Sequence, residues 1–410
     1  MLRLALVAGS FAAALAVGNL PNTGLPDGFV AVKGTQLTVG DDCHPFYFSG
    51  WNSWEFLELA SEAPSPPFRS TPLKGKQHVL NVMDTGVKAG LKVIRLWAHS
   101  MTPGWELQTG PTTYNEKVLV GMDFVMDEAA KRGLRIIWVL ADNWYPLGID
   151  QQVKLGGASR HQEFYTSAAV KAGYKRHIAF LLSRTNTLNG KVYGQDPTVM
   201  AWNLANEARC QGCPSSAMQS WVSEMCAAVK AAAPRHLVSI GYEGFFGPAS
   251  SKLSENPGLG GSDWASREGQ DFTQNNLDPC VDFVGIHAWP DNWAMRGPKD
   301  LTNYIESRLR ETAAVIKKPF ILEEYGKITN GDTTHKLRNS YFAAAMAAAE
   351  ANAKAGGPLM GSLFWHLYDA GMGPGQYGVH ATDSTWSLIT QHTGVMNGLY
   401  ASAAPTCAAA

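Results

Sequence analysis

The sequence predicts an α/β fold, a (β/α)8 TIM barrel with a short N-terminal β-hairpin and long βα-loop insertions. Three observations carry this. Eight short apolar runs recur along the 410 residues, helical segments separate them, and several of those segments end at glycine. Eight buried strands alternating with helices favour a closed parallel barrel over an open doubly wound sheet.

The first residues combine Arg3, an apolar stretch from Leu4 to Val17 and the small residues Ala14 and Ala16, so residues 1–16 read as a secretory signal peptide. The stretch is shorter than the ~20 residues that span a bilayer. Residues 29–54 alternate apolar and polar positions around a Gly-rich break, which predicts a hairpin leading into a first core strand near Phe46–Asn52. Seven further runs follow, at 91–98, 134–141, 198–205, 236–243, 281–289, 318–326 and 361–367. Between them, segments such as 79–90, 116–133, 167–184 and 340–357 repeat apolar residues at three- and four-residue spacing, as helices do. Two Pro/Gly/Ser-rich stretches, 60–77 and 248–270, have the composition of loops bordering a cleft. The chain is therefore expected to hold one catalytic domain over 17–400 and an Ala-rich tail over 401–410.

Lys+Arg (34) nearly balances Asp+Glu (35), leaving a net charge of −1 that offers nothing to a nucleic acid. No membrane partner or cofactor is expected, and a monomer is the default. Thirteen tryptophans are a high number and can supply stacking platforms as well as core, with sugars as one ligand class for them. Behind a signal peptide, Cys43, Cys210, Cys213, Cys226, Cys280 and Cys407 are expected to mature in an oxidising compartment.

In a parallel barrel the reactive side chains gather at the carboxyl ends of the strands. The polar residues there are Arg95, Asn143, Asn206, Glu207, His287 and Glu324, with Trp365 in the eighth run. A lone glutamate after a strand is usually a solvated charge, but two at one barrel mouth can supply the acid and the nucleophile that glycoside hydrolysis requires. No metal-ligand cluster stands out, so no metal is expected.

The stretches RLWAHS (95–100), 114–136, WNLANEARCQGC (202–213), EGFFG (243–247), VDFVGIHAWPDNW (281–293) and KPFILEEYGK (318–327) give residues 28–400 a family likeness. That region resembles glycoside hydrolase family 5, and within it the plant- and fungal-type endo-β-1,4-mannanases. The resemblance implies that Glu207 is the acid/base and Glu324 the nucleophile of a secreted retaining endo-glycosidase acting on β-mannan-type polysaccharide. It implies Arg95 as the charge partner of Glu324, Asn206 as a donor to the sugar 2-hydroxyl, His287 as part of the nucleophile's network and Trp365 as a sugar platform. Trp97, Asn143, Trp144 and Trp293 are candidates for further substrate contacts.

Neighbours in an extended strand face opposite sides, so Glu323 and Glu324 are not expected to face one sugar together, and Glu323 reads as a paired structural charge. Trp289 departs from the family, where many members carry a tyrosine whose hydroxyl bonds the nucleophile. An indole N–H donates but cannot accept. By the same resemblance Cys210 and Cys213 form a local disulfide that stiffens the loop carrying Glu207, while the other cysteine partners stay open. Rival readings are a β-1,4-glucanase or mannan transglycosylase on the same scaffold, and a wall protein that binds polysaccharide without cutting it.

Overall fold

Each of the runs Phe48–Asn52, Val93–Trp97, Arg135–Val139 and Val199–Asn203 is buried at every residue, the signature of parallel strands covered on both faces. The computed structural model describes residues 20–41, 43–63, 73–100, 102–144, 147–258, 264–373 and 376–407, and the leader read at 1–16 lies outside them.

The predicted hairpin pairs β1 (Val30–Lys33) with β2 (Gln36–Val39), and β3 (His44–Pro45) adds a third antiparallel strand. Next come β4 (Phe48–Asn52), β5 (Val93–Trp97), β6 (Arg135–Val139), β7 (Val199–Asn203), β8 (Leu237–Ser239), β9 (Val284–Ala288), β10 (Phe320–Tyr325) and β11 (Leu359–Phe364). These eight form one parallel sheet in the order β8-β7-β6-β5-β4-β11-β10-β9. At the seam Asp282 N donates to Val238 O (2.8 Å) and the Asp282 carboxylate accepts from Val238 N (2.7 Å), so the sheet curls into a nearly closed barrel. Each observed strand falls within its predicted run or within two residues of it.

The helices between strands follow their local signals. Asn115 caps Glu116–Lys131 by accepting from Lys117 N, and Ser167 caps Ala168–Ser183 by accepting from Val170 N. Gly133 ends the first of these in the left-handed region (φ 64°), which lets Leu134 N reach back to Ala129 O at 3.0 Å. Val118, Met122, Val125, Met126 and Ala129 line its buried face, the i, i+3/i+4 spacing of an amphipathic helix packed on the barrel.

Three disulfides close the described chain: Cys43–Cys407, Cys210–Cys213 and Cys226–Cys280. The first anchors the end of the chain past the helix Ser384–Ser402, and Thr406 Oγ1 donates to Cys43 O (2.9 Å) beside it. The third ties the helix Ser215–Ala232 to the segment entering β9 across 54 residues. A loop of that length gives about 4 kcal/mol by chain entropy. The double replacement of Cys226 and Cys280 by alanine is expected to lower unfolding free energy by roughly 2–4 kcal/mol in a denaturant titration. A loss well under that range would show that the crosslink contributes little.

Candidate active site

At the carboxyl end of the barrel the chain leaves β7 and turns sharply. Asn206 N donates to Ala141 O and Glu207 N to Gly241 O, both at 2.7 Å, so the turn is stitched to the ends of the flanking strands. Glu207 itself adopts the left-handed region (φ 48°). For a residue with a Cβ this costs on the order of 1–2 kcal/mol, and the two backbone bonds hold it there. The Cys210–Cys213 crosslink closes the loop just beyond.

Arg95, fully buried on β5, organises the floor. Its Nε donates to Asn203 Oδ1 (2.7 Å), one terminal nitrogen to Asn206 Oδ1 (2.8 Å), and the other to Asn52 Oδ1 (3.2 Å) and to the Glu324 carboxylate. Trp289 Nε1 stands 3.1 Å from an oxygen of Glu207 and 3.1 Å from an oxygen of Glu324, a single donor between two carboxyls. His287 Nδ1 lies 2.8 Å from Glu207 and 3.4 Å from Glu324, so its shorter contact is with Glu207. Trp144 Nε1 donates to the other oxygen of Glu207 at 2.5 Å. One oxygen of Glu207 and one of Glu324 lie within 4.8 Å of each other.

Among the described residues, Glu207, His287 and Glu324 are also the group of three whose donor atoms could surround a metal. Arg95 and Trp289 already direct N–H groups at those oxygens, an arrangement that suits negative charge and repels a second cation.

Two adjoining cavities meet at Glu207. One, of about 250 Å³, is walled by Trp54, Trp97, Asp142, Asn206, Glu324, Trp365 and Tyr377. The other, of about 260 Å³, is walled by Arg209, Trp264 and Trp293. Trp144, Glu207, Trp289 and Asn292 belong to both walls, so the two form one groove passing over the carboxyls. Trp365 is met nearly at right angles by Trp97 (5.4 Å) and Trp289 (5.5 Å).

Of the sequence-expected site residues, Glu207, Glu324, Trp97, Trp144, Asn206, Trp289, Trp293 and Trp365 line this groove, and Arg95 and His287 hold its floor. Asn143 is not in its wall; its side-chain oxygen bonds His161 Nε2 (2.9 Å), and Asp142 before it takes that place. Asp142 lies, like Asn143, just past the third strand, and the same reasoning from strand ends applies to it. Arg209 and Tyr377 carried no such signal, since loops deliver them.

The expectation that Glu323 and Glu324 face opposite sides is corrected. The β10 register slips against β9 between Leu322 and Glu324, a β-bulge that brings both side chains inside the barrel. Glu323 accepts from Asn203 Nδ2 (2.9 Å) and Ser239 Oγ (3.2 Å), so its bonded partners are a neutral amide and a hydroxyl instead of the opposite charge expected.

Burial pushes both Glu207 and Glu324 up; Arg209 and Arg95 oppose it on Glu207, and Arg95 opposes it on Glu324 while the Glu207 charge adds to it. Asp142, fully buried, is pushed up to about 7 by desolvation, against its bond from Asn206 and with help from the Glu207 charge. Its folded value exceeds the ordinary 3.8, so its protonation stabilises the fold below that pH and this contribution is lost as pH rises through about 7. Asp142→Asn, which keeps an acceptor for Asn206, is expected to flatten the decline in Tm between about pH 4 and 8. A constant Tm difference between wild type and variant over that range would contradict the shift.

The chain matches the model for GH family 5 beta-mannosidase-like proteins over residues 27–374. It is 35% identical over 357 residues to mannan endo-1,4-beta-mannosidase 4 of Oryza sativa subsp. japonica, covering 83% of this chain and 74% of that one. It is 34% identical over 399 residues to mannan endo-1,4-beta-mannosidase 7 of Arabidopsis thaliana, covering 92% and 88%. In fold it superposes on the endo-1,4-beta-mannanase of Rhizomucor miehei with a TM-score of 0.74 at 24% identity, over 90% of this chain and 100% of that one. With its barrel, its paired carboxyls and this extent of similarity, the chain belongs to glycoside hydrolase family 5, among its β-mannosidase-like members.

Proposed function

We propose that this protein is a retaining endo-β-1,4-mannanase, cutting internal mannosidic bonds of mannan, glucomannan or galactomannan by double displacement. One observation carries the reading: Glu207 and Glu324 present oxygens within 4.8 Å of each other across an aromatic groove. Retaining enzymes hold their carboxyls about 5–5.5 Å apart, whereas inverting ones leave 6.5–9.5 Å for a water. The named activity of the plant relatives supports mannan as the substrate.

The two cavities divide the substrate. Glu324 lines only the first, so the sugar under attack sits there over Trp365. Glu207 borders both, where it meets the bond between that sugar and a leaving group lodged against Trp264, Trp293 and Arg209. Burial raises both carboxyls, Glu324 the more, but Arg95 donates directly to Glu324, and this contact favours the charge there, so the pair's shared proton is assigned to Glu207. Glu324 then attacks the anomeric carbon while Glu207 protonates the departing oxygen, and Glu207 afterwards deprotonates the water that frees the enzyme. Asn206 spends one amide hydrogen on Asp142 (2.7 Å) and keeps a second for the 2-hydroxyl. A groove that continues to either side of Glu207 supports endo action. Three disulfides, with the apolar stretch read as a leader at residues 1–16, support an extracellular place of work.

Release of reducing ends from mannan and glucomannan, with little from carboxymethyl cellulose, is the expected result. A preference for cellulose would move the chain to the glucanases, and no release from any polymer would leave a binding protein. Glu324→Gln is expected to abolish turnover while oligosaccharide binding persists. Glu207→Gln is expected to lower kcat/KM by about 10²–10⁴ on mannan and by much less on aryl mannosides with good leaving groups. Equal losses on both substrates would remove Glu207 from the acid role.

A further inference from the structure

Beneath the two carboxyls lies a third. Glu323 is fully buried, and its Oε1 takes both of its hydrogen bonds, from Asn203 and Ser239. Its Oε2 faces His287 Nε2 at 3.9 Å, and among the described residues neither atom has a hydrogen-bond partner. Space is reserved for this carboxyl: a Cβ on Gly285, in the adjacent strand β9, would come within 2.1 Å of Oε2. On its far side the same imidazole presents Nδ1 to Glu207 at 2.8 Å. Carboxyl, imidazole and carboxyl thus stand in line, from the barrel interior to the groove.

A neutral imidazole carries one proton, so one nitrogen donates and the other accepts. Burial, with the Arg95 charge, pushes His287 down to about 3, so the ring is neutral at working pH. We propose that Glu323 is a positioning residue that acts through His287, holding the ring proton on Nε2 and leaving Nδ1 as the acceptor for the acid proton of Glu207. Closing the 3.9 Å gap to hydrogen-bond length takes a shift of roughly 1 Å, of the kind by which catalytic hydrogen bonds tighten when substrate arrives.

The inference rests on the reading of Glu207 as the acid. Other charged or titratable groups facing this line are Arg95 on β5, Asp142 past β6, Arg209 past β7, Glu243 past β8 and Glu324 on β10. Burial favours the proton on Glu207 while Arg209 and Arg95 oppose it, and an acceptor on Nδ1 adds to the side that keeps it.

Neutron diffraction from the wild-type enzyme at neutral pH reads the proton directly. The expected map has a deuteron on His287 Nε2 and none on Nδ1; the reverse overturns the proposal. In Glu323→Gln the amide can donate to Nε2, forcing the proton to Nδ1, where it favours ionised Glu207. The basic limb of the kcat/KM profile is then expected to move down by about one pH unit. A purely structural Glu323 would change kcat or Tm and leave that limb in place, which also overturns the proposal. Glu207→Gln run alongside separates the two readings, because a basic limb that survives it removes Glu207 as the acid whatever Glu323 does. Should Glu323→Gln fail to fold, the wild-type neutron map decides alone.

Discussion

The guanidinium of Arg95 is the constraint on which the rest of the site depends. Buried on the second barrel strand, it donates to Asn52 at the end of the first, to Asn203 and Asn206 at the end of the fourth, and to Glu324 on the seventh. A planar group with five N–H donors fixes several acceptors at once, which a lysine ammonium on a flexible stem does not. Removing it would take the Arg95 donor from three buried amide oxygens and the counter-charge from the buried Glu324 carboxylate, losses far costlier than the bonds themselves are stabilising. The mutual placement of strands and the charge on the proposed nucleophile are therefore one property.

Around that fixed charge the site is built largely of indoles. Trp97 and Trp289 meet Trp365 edge-on and hold its ring in the groove wall, while the Arg95 guanidinium lies 4.7 Å from the Trp97 ring. Trp144 and Trp289 also turn their N–H groups onto the carboxyls. An indole cannot accept, so at Trp289 a donor is guaranteed whatever the protonation of Glu207 and Glu324. That is the physical content of the departure from the tyrosine common in the family. The tryptophan-rich composition thus serves packing, sugar contact and hydrogen bonding together.

Below the mouth, a mainly apolar interior carries a polar layer of Asn203, Ser239, His287 and Glu323. Such a layer is tolerable only when its members satisfy one another, and most do. Ser239 and Glu323 share the amide of Asn203, whose oxygen is committed to Arg95. The β-bulge at Glu323 and the missing side chain of Gly285 make the room.

Much of this was written in local pattern. The apolar runs and helix caps located every barrel strand, because burial and capping depend on residues a few positions apart. A parallel barrel sends all strand ends to one face, so Arg95, Asn206, Glu207, His287, Glu324 and Trp365 could be gathered from the sequence alone. The family resemblance added their roles. What the sequence left undecided involves partners far apart in the chain. The pairing of Cys43 with Cys407 spans 364 residues, and Arg209 and Tyr377 enter the groove on loops whose course no periodicity encodes. Asp142 displaced Asn143 from the wall because the turn after the third strand, and not the strand itself, sets which of the two faces inward. The alternation rule failed at Glu323 for a related reason. A strand's period of two holds only while its register with both neighbours is unbroken, and that register is set across the barrel by residues of β7, β8 and β9, not by the sequence of β10.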